Sequence, residues 1–492
     1  MRPPVRYAAL IALGMGAAII AAACINVLRL GSRQITVMPI VPPPVDERRA
    51  AEHLSRAVRF QTISQDLAAD VDRGEFLRFH EFLKEVFPHV HASLTREVVN
   101  GYSLLYAWPG EDRAAKPIVL MAHQDVVPIA PGSESRWHAA PFSGEIKDGY
   151  IWGRGAWDDK GNLMGILEAV ESLAETGFKP QRTIYLAFGH DEENGGAEGA
   201  GAIASLFKLR GIRPEFVLDE GLLIAEGIMP GLDPPVALIG VAEKGSATLR
   251  LTTTAPPGHS SMPGSRTAIG SLATALERVE RAPYPAAVGG VAGDMLRAVA
   301  PEMHGLNRLA LSNLWLLEPL VRRQLAAAPS TNALLRTTAA ITVIRGGNKE
   351  NVLPETAEAW VNYRLLPGDT VRGVVEHVRR AVDDERVGIE LLPQSSEASP
   401  VASQSSEGYR LISRSVRELF PGVVVAPGLM IGGTDSRHMA GVAGNVYRFS
   451  PVRARPEDLS RFHGTDERIS IANYLEMIRF YETLVRHAAG VD

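Results

Sequence analysis

The sequence predicts an α/β protein, with a mostly parallel sheet flanked by helices, a small inserted α+β unit and one preceding membrane-crossing helix. Three observations predict it. Between residues 118 and 219, short aliphatic strands alternate with helical stretches, and each strand ends on a histidine or beside a carboxylate. Near Gly245 the pattern changes to apolar–polar alternation, the mark of a strand with one wet face. Tyr7 to Leu28 is an apolar run broken only by Asn26, and about 20 such residues cross a bilayer as a helix.

Arg2 and Arg6 precede that run and Arg29 and Arg33 come after it, so flanking charge does not set its orientation. No small-x-small exit leads into a polar start, which favours an anchor over a cleaved signal peptide. Ala21-Ala22-Ala23-Cys24 loosely resembles a lipoprotein cleavage box, but the chain stays apolar beyond the cysteine. Residues 1–30 are therefore expected to be a single-pass anchor, with the folded part on the extracytoplasmic side. Residues 31–45, with Pro39 and Pro42-Pro43-Pro44, read as a stiff spacer that lifts the folded part off the membrane.

At 492 residues the chain exceeds what one core covers, so two folded units are expected. The ordinary balance of 46% hydrophobic and 22% charged residues excludes bulk disorder, and a net charge of −5 leaves no footprint for nucleic acid. Cys24 is the only cysteine, so any metal must be held by histidines and carboxylates. The first unit takes residues 46–245 and 399–492, and 246–398 is inserted between its halves. Helices are expected over residues 46–60, 74–87, 161–176 and 198–209, with strands at 118–122, 183–188 and 215–218. In the insert, strands at 247–254, 337–344, 356–365 and 388–392 with helices at 268–281 and 370–384 give a ferredoxin-like order. Helices at 408–420 and 471–487 complete the first unit.

In open α/β sheets ligands sit beyond the carboxyl ends of strands, and five acid- or histidine-bearing clusters lie at such ends or in nearby loops. In Met121-Ala122-His123-Gln124-Asp125, residues two apart in an extended chain face one side, so Asp125 can orient His123. Asp158-Asp159-Lys160-Gly161 opens a helix; one aspartate would suffice as its cap, and the second carboxylate suits a bridge between cations. Asp191-Glu192-Glu193 packs three acids after a strand, which repel unless protonated or neutralised by a metal. Glu193 reads as a ligand and Glu192 as a general base. Val217-Leu218-Asp219-Glu220 supplies another ligand, Asp219 or, one residue along, Glu220. His463, in His463-Gly464-Thr465-Asp466-Glu467, would be discounted if it stood alone.

Together these motifs resemble the M20 family of zinc peptidases and aminoacylases. Gly189-His190-Asp191-Glu192-Glu193, Val217-Leu218-Asp219-Glu220-Gly221 and Gly258-His259-Ser260-Ser261-Met262-Pro263 are most similar to its carboxypeptidase S branch, which includes enzymes that make and cleave N-fatty-acyl amino acids. The resemblance implies two Zn²⁺ ions, replaceable by Co²⁺ or Mn²⁺, with His123 and Asp219 on one, Glu193 and His463 on the other, and Asp158 bridging. It also implies a cis peptide after Asp158, an inserted lid that forms a homodimer, and His259 as the lid histidine that holds an oxyanion. The expected reaction is hydrolysis of a peptide or N-acyl amino acid at the amide of a residue with a free carboxylate. Arg364, Arg437 and the 432–436 loop are candidates to bind that carboxylate, with Asn332 and Asn351 next. His138, His190 and His438 lie near the motifs without an assigned role. The competing reading is a catalytically silent, membrane-anchored binding protein; Glu192 argues against it, since a binding site needs no second acid beside the ligand.

Overall fold

A computed structural model describes residues 3–64 and 73–490, so the flanking charge Arg2 lies outside the described residues. Its larger sheet has eight strands, in the spatial order Thr95–Val99, Ser103–Trp108, Ile184–Gly189, Ile118–His123, Phe216–Ala225, Val446–Ala454, Val236–Glu243 and Val424–Met430. It is mixed rather than mostly parallel. The central strands Ile184–Gly189, Ile118–His123, Phe216–Ala225 and Val446–Ala454 run parallel, but the first three strands of the order are joined antiparallel. The antiparallel part begins with a hairpin that periodicity alone does not reveal. Val99 pairs with Ser103, and the three-residue turn between them holds Asn100 and Gly101, both at positive φ (51° and 91°), the left-handed backbone that glycine and asparagine tolerate best.

The central strands carry runs of apolar residues because helices cover both faces. Ile118–His123 is buried throughout. The helix Lys160–Glu175 packs beneath it and against the C-terminal helix Ile471–Ala489, in a cluster that includes Leu163, Ile166, Leu167, Tyr474, Ile478 and Tyr481. Gly165 faces Met477 and Tyr474 there, and a Cβ at this position would rest 3.7 Å and 3.8 Å from them, so the two helices pack in close contact.

A second, four-stranded antiparallel sheet has the order Thr338–Gly346, Thr356–Leu365, Gly245–Thr254, Gly388–Leu391. Burial alternates along Gly245–Thr254, with Ala247, Leu249 and Leu251 inward beneath the helices Ala268–Arg281 and Val371–Val382. The helices between Gly290 and Leu335 do not share this core. Met295, Leu296, Val299 and Met303 pack instead with Val424 and Ala426 of the larger sheet.

The N-terminal helix spans Pro3–Arg29, and its stretch Leu10–Arg29 has a mean hydropathy of 2.3 with none of it buried. The proline-rich segment after it is not a free spacer. The Gln34 side chain donates to Val425 O (3.0 Å) and accepts from Val425 N (2.7 Å), extending the edge strand by one rung. Ile40 N donates to Glu418 O and Arg479 Nε to Pro43 O, so the segment lies along the folded unit.

Candidate active site

The five clusters converge at the carboxyl end of the parallel strands. Asp158 sits at the centre. His123 Nε2 donates to its Oδ1 (3.0 Å) and His463 Nε2 to its Oδ2 (2.8 Å), so one carboxylate spans two imidazoles. Glu193 Oε2 lies 3.3 Å from His463 Nε2. Among the described residues two groups of potential ligand atoms result: His123 with Glu192 and Glu193, and Asp158 with Glu193 and His463. The peptide between Asp158 and Asp159 is cis.

The backbone around Asp158 is held by Glu467, to which the sequence motif alone assigns no role. Its Oε1 accepts from Gly155 N (2.9 Å), Trp157 N (3.0 Å) and Asp158 N (3.0 Å), and its other oxygen pairs with the buried Arg154. Arg154 in turn donates to the carbonyls of His463 and Gly464, which ties the two ligand loops together. The position of Glu467, four residues after His463 in the same motif, was the available signal. Asp159 is not a side-chain cap; it accepts from His123 N (3.1 Å).

Asp125 links the first and third clusters. Its Oδ1 lies 3.3 Å from His123 Nδ1, and the two oxygens accept from Glu192 N and Glu193 N. Ser64, which no sequence motif singled out, donates to Asp125 Oδ2 (2.7 Å). The three unassigned histidines are loop ties as well: His138 to Asp466, His190 to Ser103, and His438 Nε2 to Gly195 O.

The electrostatics reflect burial and these contacts. Burial opposes a charge on His123, but hydrogen bonds to Asp125 and Asp158 outweigh it and hold its pKa well above the ordinary value. Hydrogen bonds to Asp158 and Glu193 raise His463 to about 10. Burial raises Asp158, but its two histidines overcome this and hold it well below the usual carboxylate range. Burial raises Glu192 well above its ordinary value, with His123 opposing and Asp435 and Glu193 adding to the rise.

Asp219 is buried on the strand Phe216–Ala225, and its Oδ2 accepts from Ser436 N (2.7 Å). Burial raises both Asp219 and its neighbour Glu220, which also feels Asp159 and Asp158. The N–H of Ser436 in the 432–436 loop thus serves Asp219 rather than pointing outward as a substrate donor. Arg437, on the helical turn Asp435–Gly441 that follows, lies beside Gly195, two residues after Glu193: a Cβ on Gly195 would lie 3.8 Å from its Nη2.

Four other candidates from the sequence make none of the contacts of the Asp158 cluster among the described residues. His259 is exposed on a two-residue strand paired with Val352, its Nδ1 against Ser261 Oγ (2.8 Å). The preceding residue, Asn351, holds Ser260 N through its carbonyl. Arg364 is exposed on Thr356–Leu365, and Asn332 lines a cavity of about 300 Å³ with Tyr284, Arg336 and Tyr363.

The chain is 43% identical to a probable carboxypeptidase S-like 2 of Dictyostelium discoideum over 473 residues, covering 94% of this chain and 91% of that one. It is 42% identical to the N-fatty-acyl-amino acid synthase/hydrolase PM20D1 of Xenopus tropicalis, covering 90% and 86%. An M20 family metallo-carboxypeptidase, Sso-CP2 from Sulfolobus solfataricus, shares the fold at a TM-score of 0.65 and 18% identity, over 89% of this chain and 98% of that one. Residues 119–487 match Peptidase family M20/M25/M40, and the chain belongs to this family of metal-dependent hydrolases of amide and peptide bonds.

Proposed function

We propose that the protein is a two-zinc hydrolase that cleaves the amide joining an acyl or aminoacyl group to an amino acid with a free carboxylate. The observation that carries this reading is the Asp158 carboxylate, one oxygen on His123 and the other on His463, the donor pattern of a ligand shared by two cations. The donor set fits. Glu193 Oε1 is buried without a hydrogen-bond partner among the described residues, and so many buried carboxylates need positive charge that two histidines alone do not supply. His123 and Asp219 would hold one ion and Glu193 and His463 the other. Zinc there supplies Lewis-acid polarisation of the scissile carbonyl and lowers the pKa of water towards 7.

The protein's own residues do the rest. Asp125 fixes the ring orientation of His123 and, through two backbone N–H groups, the position of Glu192 and Glu193. Glu192, with its raised pKa, takes the proton of the attacking water and returns it to the leaving amine. Arg437, at the rim beside Gly195, is placed to fork onto the substrate carboxylate. His259 and Arg364 belong to the four-stranded unit, which we read as a lid and dimerisation module. Its exposed edge strand, with Ile344 62% exposed, supports that reading, as does its order of strands and helices.

The names of the relatives span the two substrate classes, peptides and N-fatty-acyl amino acids. The apolar N-terminal helix, read as a single-pass anchor with the hydrolase outside the cytoplasm, favours the lipidic class because such substrates concentrate at a bilayer. The test is Glu192→Gln, assayed against dipeptides and N-oleoyl amino acids with zinc content measured in parallel. Turnover is expected to fall on the order of 10²- to 10⁴-fold with zinc retained. Unchanged turnover would refute the mechanism, and a wild-type protein that binds no metal and turns over neither substrate would leave the silent binding protein.

A further inference from the structure

Two helices, Gly305–Ser312 and Leu314–Leu325, form an elbow that no step of the reaction uses. Its outer face is apolar, and no described residue covers it. Trp315, Leu316 and Leu320 are 59%, 40% and 61% exposed, and Leu306 on the first helix is 81% exposed. Spacings of three to five residues put Trp315, Leu316, Pro319, Leu320 and the cation Arg323 on one side of the second helix.

The elbow is bolted to the end of the N-terminal helix. Asn26, the one polar residue in that apolar run, donates from Nδ2 to Asn313 Oδ1 (3.0 Å). Asn313, fully buried at the bend, donates to Ala23 O (3.2 Å), and Arg308 donates to Leu30 O (3.1 Å). An asparagine in hydrocarbon is unfavourable without a partner, and here the partner comes from the elbow. Ala23 lies six residues before Arg29, so at 1.5 Å per residue the elbow meets the helix about 9 Å inside its charged end. That is the depth at which interfacial helices rest, with tryptophan near the headgroups. Arg29, Arg33 and Arg323 are exposed around this junction and suit anionic headgroups. The elbow also packs on the larger sheet through Leu311 and Leu325, and Gln34 pins the next segment to the same edge, so the arrangement is not a loose tether.

We propose that this elbow is a second membrane contact, sunk into the leaflet beside the N-terminal helix with Leu306, Trp315, Leu316 and Leu320 among the acyl chains. This rests on reading the N-terminal helix as an anchor. It seats the hydrolase against the bilayer surface, where an acyl chain need not leave the lipid entirely to present its amide.

The full chain, reconstituted in phosphatidylcholine–phosphatidylglycerol vesicles whose acyl chains are brominated at graded depths, tests it by tryptophan fluorescence. Of the six tryptophans Trp315 is the exposed one, so wild-type protein is expected to show quenching that is strongest for shallow bromines and falls to background in Trp315→Phe. Equal quenching in the two proteins overturns the proposal. Flotation of the same vesicles reads the anchor separately: protein that floats but shows no Trp315 quenching refutes the elbow alone, and protein that does not float refutes both. A nitroxide on Leu320→Cys, in a Cys24→Ala background, is expected to be accessible to oxygen and shielded from an aqueous relaxant. Crosslinking of Leu320→Cys between copies, with the label shielded from both, would show a second copy on this face and overturn the proposal.

Discussion

Glu467 shows how much of the candidate metal site lies outside the residues proposed as ligands. Three backbone N–H groups and a buried guanidinium converge on its carboxylate, and they fix the turn that presents Asp158. Glu467→Ala leaves Arg154 buried without its partner, which costs about 3–5 kcal/mol. Denaturant unfolding of the metal-free protein is expected to show that loss, and zinc titration of the folded variant an affinity about 10- to 100-fold lower. An unchanged zinc affinity would show that the Asp158 turn holds without Glu467. Protons also report on the site. His123 and His463 are held charged in the metal-free protein, His463 up to about 10, and must become neutral to bind metal. Zinc uptake at mildly alkaline pH is therefore expected to release protons and to strengthen as pH rises. Calorimetry in buffers of differing ionisation enthalpy measures this, and an apparent enthalpy independent of buffer would contradict it.

At the scale of elements, the junction between the two sheets turns on Lys244. It sits between the strands Val236–Glu243 and Gly245–Thr254, buried, and donates from Nζ to Ala333 O (2.9 Å) and Arg336 O (3.0 Å). Burial, with Arg364 nearby, lowers its pKa to about 8. The folded state then binds fewer protons than the unfolded state between about pH 8 and the ordinary value of 10.5, so this group's contribution to stability rises with pH across that window. Lys244→Met is expected to flatten that rise in unfolding free energy measured at successive pH values. A slope identical to wild type would mean the amine is solvated in the folded protein. The neighbouring Arg448–Glu243 pair, buried between the strands Val446–Ala454 and Val236–Glu243, keeps the same junction polar.

Over the whole molecule, bound metal is the external partner that stability should report. A ligand that binds only the folded state adds about 4 kcal/mol when present at a thousand times its dissociation constant. Removing metal with a chelator is expected to lower the midpoint of thermal unfolding by several degrees, with recovery on adding Zn²⁺, Co²⁺ or Mn²⁺. No shift in calorimetry would mean the buried acids are neutralised by protons alone. Local patterns decided a good deal by themselves. The apolar helix, the alternation of strands and helices, the βαββαβ order after Gly245 and the carboxylates at strand tips all come from periodicity and turn chemistry, which act within a few residues. The Asn100-Gly101 turn is equally local, and its dipeptide is a legible hairpin signal. What tertiary structure alone decided involves residues far apart in the chain. It set the mixed direction of the sheet, the helices after Gly290 joining the larger core, and the proline-rich segment lying on an edge strand instead of standing free. It also set the Asp158 carboxylate between two histidines from opposite ends of the folded chain, Glu467 beneath it, and Asn26 against Asn313. A local pattern states which groups a segment must bury or satisfy; the partner that satisfies them is supplied by packing, and no sequence window contains both.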